Sequence, residues 1–479
     1  MSPPPSSFPY HRASSALTFP RDEGWHEVVP AVWALSRRGA RRAANPSMAR
    51  MEWVYLNTHL DEVGGEGRSF VVFAAYFTQH LRFLVVRAWD ASDRYLGAWT
   101  GSAWGLLTAS TERLDLLFRH VGGTDRWDTA RKPDGSLDPF HSRLVARDDA
   151  ARFTVDLDLA STKTPYEAGG IGHLPFGEHG WFDYYSLTRL RAAGHLHLTM
   201  PGGAVEAVRV EGIGWYDHQW GPFFVTPLRV PGLEEYEWMS LQLDSGDELL
   251  LTTVWDPHGE TPDRPAYGGA GLVRAGGTFE HLVGAHRWQR TAFWRSPMQG
   301  AVYSAGWRFD APEWGTSLVI TPRHADQLTP VFDPPLPGLV GKAIDAVVDW
   351  APNYVGEFWE GSCRVTGTFA GAPAHGVAFA ELVKRYRDPE MRLTLARSDP
   401  GLAVVELHAT PQDPQVPLTF RATVEQGGAV LQRIAGLDVP VVVLDDPALP
   451  RGTPLLVRAT AESVDGTLRA MATLSVTLT

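Results

Sequence analysis

The sequence predicts an all-β protein. Its 479 residues include 18 tryptophans, 47 glycines and 36 prolines. Aromatic side chains favour strands, and glycine and proline favour the tight turns between them. Short runs that alternate apolar and polar residues recur along the chain, whereas we find neither a βαβ alternation nor a phosphate-binding glycine loop. The pattern allows one short helix, at residues 344–350.

Composition excludes several classes of function. The net charge is −12 and no long basic run occurs, which argues against a nucleic-acid partner. Cys363 is the single cysteine, so an intramolecular disulfide and a cysteine-ligated zinc site are both excluded. Because no secretory signal or apolar run of about 18 residues is visible, we expect a cytoplasmic protein. Peripheral contact with a membrane stays open, and the sequence does not indicate an oligomeric state.

Predicted strands begin after an N-terminal extension, residues 1–48. A Gly202-Gly203 turn predicts a hairpin between the strands at 193–199 and 208–220, and a turn at residues 244–247 predicts a second hairpin. Further strands are predicted at residues 51–60, 69–77, 82–89, 152–159, 181–190, 238–243, 249–255, 301–309, 318–321, 361–369 and 376–386.

The composition changes after Arg387, where the tryptophans stop. The remaining residues are rich in valine, leucine and threonine, with turn signals about every ten residues. This spacing predicts a small C-terminal β-sandwich at residues 388–479.

The most distinctive stretch is Gly214-Trp-Tyr-Asp-His-Gln-Trp-Gly221. On a strand, Trp215, Asp217 and Gln219 would share one face, and the opposite face would present His218 between Tyr216 and Trp220. Such a face is either an active-site wall or a well-packed strand of an aromatic core.

Four motifs in order carry a resemblance to a known family. They are Glu52-Trp-Val-Tyr55, Tyr184-Tyr-Ser-Leu-Thr-Arg189, the stretch 214–221 and Trp359-Glu-Gly-Ser-Cys-Arg-Val-Thr-Gly367. Together they resemble the carotenoid hydratase (hydroxyneurosporene synthase) and AttH-type lipocalin-like superfamily, which also includes decalin-forming Diels–Alderases. The resemblance implies two consecutive lipocalin-like β-barrel domains, at residues 49–222 and 223–387, followed by the C-terminal β-sandwich.

The resemblance also implies site residues. Carried over by motif, it places His218 and Trp220 in the active site beside Asp217, with an acidic residue expected on the strand at 249–256. That strand has Thr252 and Thr253 in its interior, where a tyrosine and an aspartate would be expected, and Asp256 stands near its end. We therefore take His218, Asp217 and Asp256 as candidate catalytic residues. The candidate substrate-binding residues are Trp53, Tyr55, Tyr185, Trp215, Tyr216, Trp220 and Trp238.

His218 needs a partner from another part of the chain. Asp217 is its neighbour in sequence and would point to the opposite face of a strand. The acids that could pair with His218 are Asp183, Glu237, Asp256 and Glu52. Asp217 itself would either act in the site or cap the turn at Gly221-Pro222.

Three functions fit these residues. The first is a hydratase or related lyase that adds water to a double bond of a long apolar polyene, such as a carotenoid, or of a polyketide. The second is a cofactor-free cyclase of the Diels–Alderase type, an isomerase of secondary metabolism, and the third is a protein that only binds a hydrophobic ligand. We expect no cofactor and no metal, because no motif adds a third ligand to the pair His195 and His197. No Gly-x-Ser-x-Gly motif indicates a nucleophilic serine.

Overall fold

The computed structural model describes residues 15–26, 51–78, 80–176, 180–200, 203–221, 235–255, 264–297, 300–330, 357–410, 415–437 and 440–479. These parts of the chain form β-strands and short turns and contain no α-helix, which confirms the all-β fold class. The helix expected at 344–350 and the candidate residue Asp256 lie outside the described residues. In the described ranges, no helix is long and apolar enough to span a membrane.

The first part of the chain forms a closed barrel. Its strands are β1 (Met51–Glu62), β2 (Ser69–Phe77), β3 (Leu81–Trp89), β4 (Tyr95–Ala109), β5 (Asp115–His120), β6 (Gly123–Arg131), β7 (Leu137–Asp148), β8 (Phe153–Ser161), β9 (Tyr166–Glu167), β10 (His173–Phe176), β11 (Gly180–Thr199) and β12 (Val205–Gly221). The order runs from β11 through β12 and then β1 to β8, and β8 pairs with β11. That last pairing closes a ring of ten strands and removes its free edges.

Alternation along the strands fills the barrel. On β8, Phe153, Val155, Leu157 and Leu159 are buried and the residues between them are more exposed, as their pattern predicts. By contrast, β1, β2 and β3 are buried on both faces over most of their length. Their outer faces carry apolar side chains that pack in a second cluster with residues of a second sheet.

The chain continues with strands β13 (Glu235–Leu243), β14 (Glu248–Trp255), β15 (Pro265–Val273), β16 (Phe279–Val283), β17 (Arg287–Arg295), β18 (Val302–Ala311), β19 (Thr316–Pro322), β20 (Leu328–Pro330), β21 (Glu357–Phe369) and β22 (Ala372–Leu382). The predicted turn at 244–247 joins β13 to β14. Gly246 there has φ of 87°, a conformation that favours glycine.

The chain divides into two compact units. The first comprises Met1–His286 and Pro322–Val383, and the second comprises Arg287–Thr321 and Lys384–Thr479. The first unit contains the barrel and the second sheet, in which the strand order is β16-β15-β14-β13-β22-β21. Residues 15–26 also belong to this unit, and their Asp22 and Glu23 are buried.

The second unit contains β17 to β19 and a small C-terminal sandwich. The sandwich strands are β23 (Glu390–Asp399), β24 (Leu402–Thr410), β25 (Leu418–Gln426), β26 (Ala429–Leu437), β27 (Val441–Leu444), β28 (Pro454–Ser463) and β29 (Arg469–Thr477). They form the sheets β23-β24-β27 and β26-β25-β28-β29. One apolar cluster draws side chains from both sheets, including Val405 of β24 and Val457 of β28.

Candidate functional site

The motif strand β12 presents its two faces to different surroundings. Tyr216 and Trp220 belong to the apolar cluster inside the barrel, whereas Trp215 belongs to the cluster between the barrel and the second sheet. The alternation expected from the sequence is thus present. His218 and Asp217 consequently lie on opposite sides of the barrel wall.

A row of side chains crosses the second sheet on the face toward the barrel. Trp238 of β13 is directly opposite Thr252 of β14 on one side and Glu381 of β22 on the other. Glu381 is in turn opposite Glu360 of β21. Because directly opposed residues of antiparallel strands share a face, these four side chains form one continuous row.

A cavity lies between this row and the outer face of the barrel. Its volume is about 30 Å³, room for about one water molecule, so a larger ligand requires side chains of the wall to move apart. Its walls are mainly aromatic and apolar, with a few polar groups. The lining residues are Trp53, Leu174, Pro175, Phe182, Tyr184, Gln219, Tyr236, Trp238, Thr252 and Glu381.

Glu381 is the acidic group of the cavity wall. Burial raises its pKa to about 7, although a hydrogen bond from Tyr236 acts in the opposite direction. The Tyr236 hydroxyl donates this bond to Oε1. Near neutral pH, a substantial fraction of Glu381 is therefore a protonated carboxylic acid that faces an apolar cavity.

Glu360 lies beside Glu381 and is also held in its protonated form. Burial and the nearby Glu381 carboxyl raise the pKa of Glu360 well above its usual range. The Tyr55 hydroxyl donates a hydrogen bond of 2.9 Å to Glu360 Oε2. Two neighbouring carboxyl groups, of which Glu360 is buried, resist simultaneous ionisation, so the pair retains at least one proton over a wide pH range.

Asp217 anchors the aromatic wall without lining the cavity. Its side chain is buried, and burial raises its pKa to about 7. Oδ1 accepts hydrogen bonds from Ser186 Oγ at 2.6 Å and from Trp215 Nε1 at 2.7 Å. Tyr184 also hydrogen bonds to Asp217 and accepts a bond of 2.9 Å from Trp238 Nε1. These contacts, rather than a capped turn, account for Asp217.

His218 faces the barrel interior, on the far side of β12 from the cavity. Its Nε2 lies 2.7 Å from Glu52 Oε1, so Glu52 is the partner among the four acids considered from the sequence. Asp183 instead contacts His173 Nδ1 at 2.9 Å. Burial lowers the pKa of His218.

The candidate substrate-binding residues divide between these two places. Trp53 and Trp238 line the cavity. Tyr55 and Trp215 lie on the same side of the wall, and they bond to Glu360 and Asp217 respectively. Three others surround the His218 ring inside the barrel, with ring centroids 5.0 to 6.4 Å away: Trp220, Tyr185 and Tyr216.

The site contains three residues that were not predicted from the sequence: Glu381, Tyr236 and Phe182. Glu381 had a visible signal, because it is the single charged residue in the otherwise apolar run of residues 376–383. An acid in an apolar strand is uncommon unless it is paired or functional. Tyr236 and Phe182 had no comparable signal, since their role depends on how the second sheet packs on the barrel.

Comparisons with known proteins agree with this architecture. The family model described as AttH-like matches residues 41–385. The chain belongs to the AttH-like family. This result supports the superfamily indicated by the four motifs. No curated protein sequence gives a significant match.

Several solved structures are similar to this chain. The crystal structure of an AttH candidate from Nitrosomonas europaea is 19% identical, with a TM-score of 0.50, and the match covers 77% of this chain and 98% of that one. Kievitone hydratase from Nectria haematococca is 15% identical, with a TM-score of 0.48 and coverage of 70% and 89%. CghA in complex with Sch210972 is also 15% identical, with a TM-score of 0.43 and coverage of 70% and 88%. At these identities, the AttH match establishes the fold alone.

Proposed function

We propose that this AttH-like protein is a hydratase-type enzyme, a hydro-lyase, that acts on a long apolar polyene or polyketide. The observation that carries the proposal is the position of Glu381, a carboxylic acid with a pKa of about 7 in the wall of an aromatic cavity. Adding water to an isolated alkene requires a general acid that still holds its proton near neutral pH and faces an apolar site. Glu381 meets both requirements.

In the proposed step, Glu381 transfers its proton to one carbon of the double bond. The π electrons form the new C–H bond and leave a carbocation on the other carbon. A water molecule then forms the C–O bond and returns one proton to the Glu381 carboxylate. The net change is alkene plus water to alcohol, and the acid is regenerated without any cofactor.

The aromatic walls suit the cationic intermediate of this step. Trp53, Phe182, Tyr184 and Trp238 all line the cavity and are buried. The faces of such rings attract a cation through their quadrupoles, with about 2 kcal/mol or more when the site is desolvated. Asp217 holds this wall in place through Tyr184, which gives the motif residue a positioning role.

A cofactor-free cyclase is the second candidate, and Thr252 favours it. In the described part of the chain, Thr252 Oγ1 is buried without a hydrogen-bond partner and lines the cavity. This hydroxyl, which lies across Trp238 from Glu381, could bind a substrate carbonyl and promote cycloaddition without proton transfer to carbon. A protein that only binds its ligand would need the cavity alone.

Product analysis separates these functions. Lipophilic molecules that copurify with the protein identify the substrate, which is then incubated with enzyme in water enriched in oxygen-18. A hydratase gives a product heavier by one water and labelled with one oxygen-18, whereas a cyclase leaves the mass unchanged. A binding protein returns the ligand unaltered.

Matched variants then test the acid. Glu381→Gln should lower kcat by about 100-fold or more, the usual contribution of a general acid. Glu23→Gln is the control, because burial also raises the pKa of Glu23 to about 7 and Glu23 is not among the residues that line the cavity. Full hydration activity in Glu381→Gln would refute the proposal.

A further inference from the structure

A second cluster of ligating side chains lies inside the barrel. His26 Nδ1 and His218 Nε2 lie 2.9 and 2.7 Å from the same atom, Glu52 Oε1. One nitrogen of each histidine and a carboxylate oxygen all lie within 4.8 Å of one another. His26 comes from residues 15–26, Glu52 from β1 and His218 from β12. Three separate segments therefore converge on one point.

Both imidazoles have an outer partner on the ring nitrogen that faces away from Glu52. His218 Nδ1 lies 3.1 Å from the backbone carbonyl oxygen of Asp22. His26 Nε2 lies 3.4 Å from the carboxylate Oδ1 of the same residue. Metal-ligating histidines almost always donate their second N–H to a carbonyl or carboxylate in this way. One residue, Asp22, supplies that partner to both rings.

The hydrogen-bonding roles of His218 and Glu52 require a positive charge between the two side chains. A carbonyl oxygen only accepts, so the bond to Asp22 puts a hydrogen on His218 Nδ1. The other nitrogen of a neutral His218 ring then presents a lone pair to the Glu52 oxygen. Two facing acceptors require a proton or a metal ion between them. The His218 and Glu52 side chains are fully buried, so bulk water does not fill this place.

The cluster is held rigidly. The His26 backbone N–H lies 3.0 and 2.8 Å from the two oxygens of Glu52. The His26 ring also stacks on Trp220, with centroids 3.8 Å apart and planes 14° apart. Fixed ligands surrounded by aromatic rings limit solvent access, as at protein metal sites.

We infer that His26, Glu52 and His218 bind a divalent first-row transition metal ion of the zinc type. Two imidazole nitrogens and one carboxylate oxygen suit zinc, whereas calcium and magnesium prefer oxygen ligands. Zinc bonds of about 2.0 to 2.2 Å require these ligand atoms to separate slightly from their hydrogen-bonded distances. A water molecule would complete a tetrahedral site.

This ion would fasten residues 15–26 to the barrel. Its site lies on the His218 side of β12, whereas the cavity lies on the Asp217 side, so the inference does not depend on the proposed hydratase activity. The expectation from the sequence that no metal binds rested on the pair His195 and His197. The structure assigns the ligating role to other histidines.

Metal binding to the full-length, untagged protein tests the inference. After chelator treatment and dialysis, zinc and cobalt are titrated by calorimetry and by visible absorption, and bound zinc is counted by mass spectrometry. We expect one zinc per chain at micromolar or tighter affinity, a tetrahedral cobalt spectrum and no competition by magnesium. Zinc should also slow hydrogen exchange of the His26 amide.

Variants identify the ligands. His26 lies at the edge of the barrel, and His26→Ala should weaken zinc binding by about 100-fold or more. Asp22→Asn should weaken zinc binding by about 10- to 100-fold. The matched control is His195→Ala with His197→Ala, which removes two exposed histidines of β11 and should leave the affinity unchanged. Absence of zinc binding in the wild type, which would mean that a proton alone occupies the cluster, refutes the inference. Wild-type affinity in His26→Ala, or loss of binding only in the control, refutes it as well.

Discussion

Glu381 and Thr252 lie directly opposite the same residue, Trp238, on the two strands that flank β13. The motif resemblance led us to expect an acid on β14, but the interior of that strand carries Thr252 and Thr253. The structure supplies an acid at the same level of the sheet, two strands away. A carboxyl group therefore reaches the cavity even though the expected strand carries threonine.

The rate of the proposed reaction should fall as the pH rises through 7. Glu381 must be protonated to act, and its pKa is raised to about 7. The rate of hydration should therefore be highest below pH 7 and fall about tenfold per pH unit above it. A profile of kcat/KM against pH checks this expectation. The same falling limb should persist in Glu23→Gln, and a rate that rises through pH 7 would contradict the role of Glu381.

The free energy of unfolding should also depend on the protonation of Glu381. The folded protein holds the Glu381 proton up to about pH 7, whereas the unfolded chain releases it near the ordinary value of 4.5. Between these values the folded state binds more protons, so the contribution is complete below pH 4.5 and is lost as the pH rises to 7. Relative to Glu381→Gln, the wild type should lose up to about 3 kcal/mol of unfolding free energy over this window. Urea unfolding at several pH values measures the difference, which should not stay constant.

Arg82 should be essential to barrel stability. It is fully buried, and its guanidinium lies 2.6 Å from Asp148 and 3.3 Å from Asp125. Arg82→Met leaves buried carboxylates uncompensated, which should cost about 3 to 5 kcal/mol in urea unfolding. Arg143→Met, which removes an exposed ion pair with Asp156, should cost less than about 1 kcal/mol. Equal losses in the two variants would show that the buried cluster has no special role.

Tyr184 should couple Asp217 to the cavity wall. Tyr184→Phe removes the acceptor of the Trp238 indole N–H and a hydrogen bond to Asp217. Leaving buried polar groups unpaired should cost about 1 to 3 kcal/mol of unfolding free energy. The indole fluorescence and the affinity for the copurified ligand should both change. If Tyr184→Phe changes neither the stability nor the ligand affinity, Asp217 does not support the cavity wall through Tyr184.

The sequence predicted the fold class well and the barrel strands unevenly. Alternation and turn signals indicated β1 to β3, β8, β11 and β12, but the stretch from β4 to β7 gave no clear pattern. Gly101 and Gly105 interrupt β4, and glycine weakens a strand pattern. A side chain at Gly105 would place its Cβ 2.4 Å from the Arg119 carbonyl oxygen. The need for that glycine arises from pairing with β5, which local sequence does not show.

The candidate site was predictable in part. Alternation correctly separated Asp217 from His218, and Glu52 was among the four acids considered for His218. The sequence did not indicate which face of β12 borders the cavity, because both faces are aromatic and buried. Glu381 is 164 residues from Asp217 in the chain, and it reaches the cavity only because β22 pairs beside β13. Such pairing depends on tertiary structure rather than on local pattern.

The protonation state of Glu381 decides whether this residue can act as the proposed general acid. Infrared difference spectroscopy of the wild type between pH 5 and pH 9 should show the carbonyl stretch of a protonated carboxylic acid that disappears with a midpoint near pH 7. Because Glu23 and Asp217 also have pKa values of about 7, the Glu381 band is the part of this signal that is lost in Glu381→Gln and retained in Glu23→Gln. A Glu381 band that is absent at pH 6, or that titrates near pH 4.5, would contradict the account.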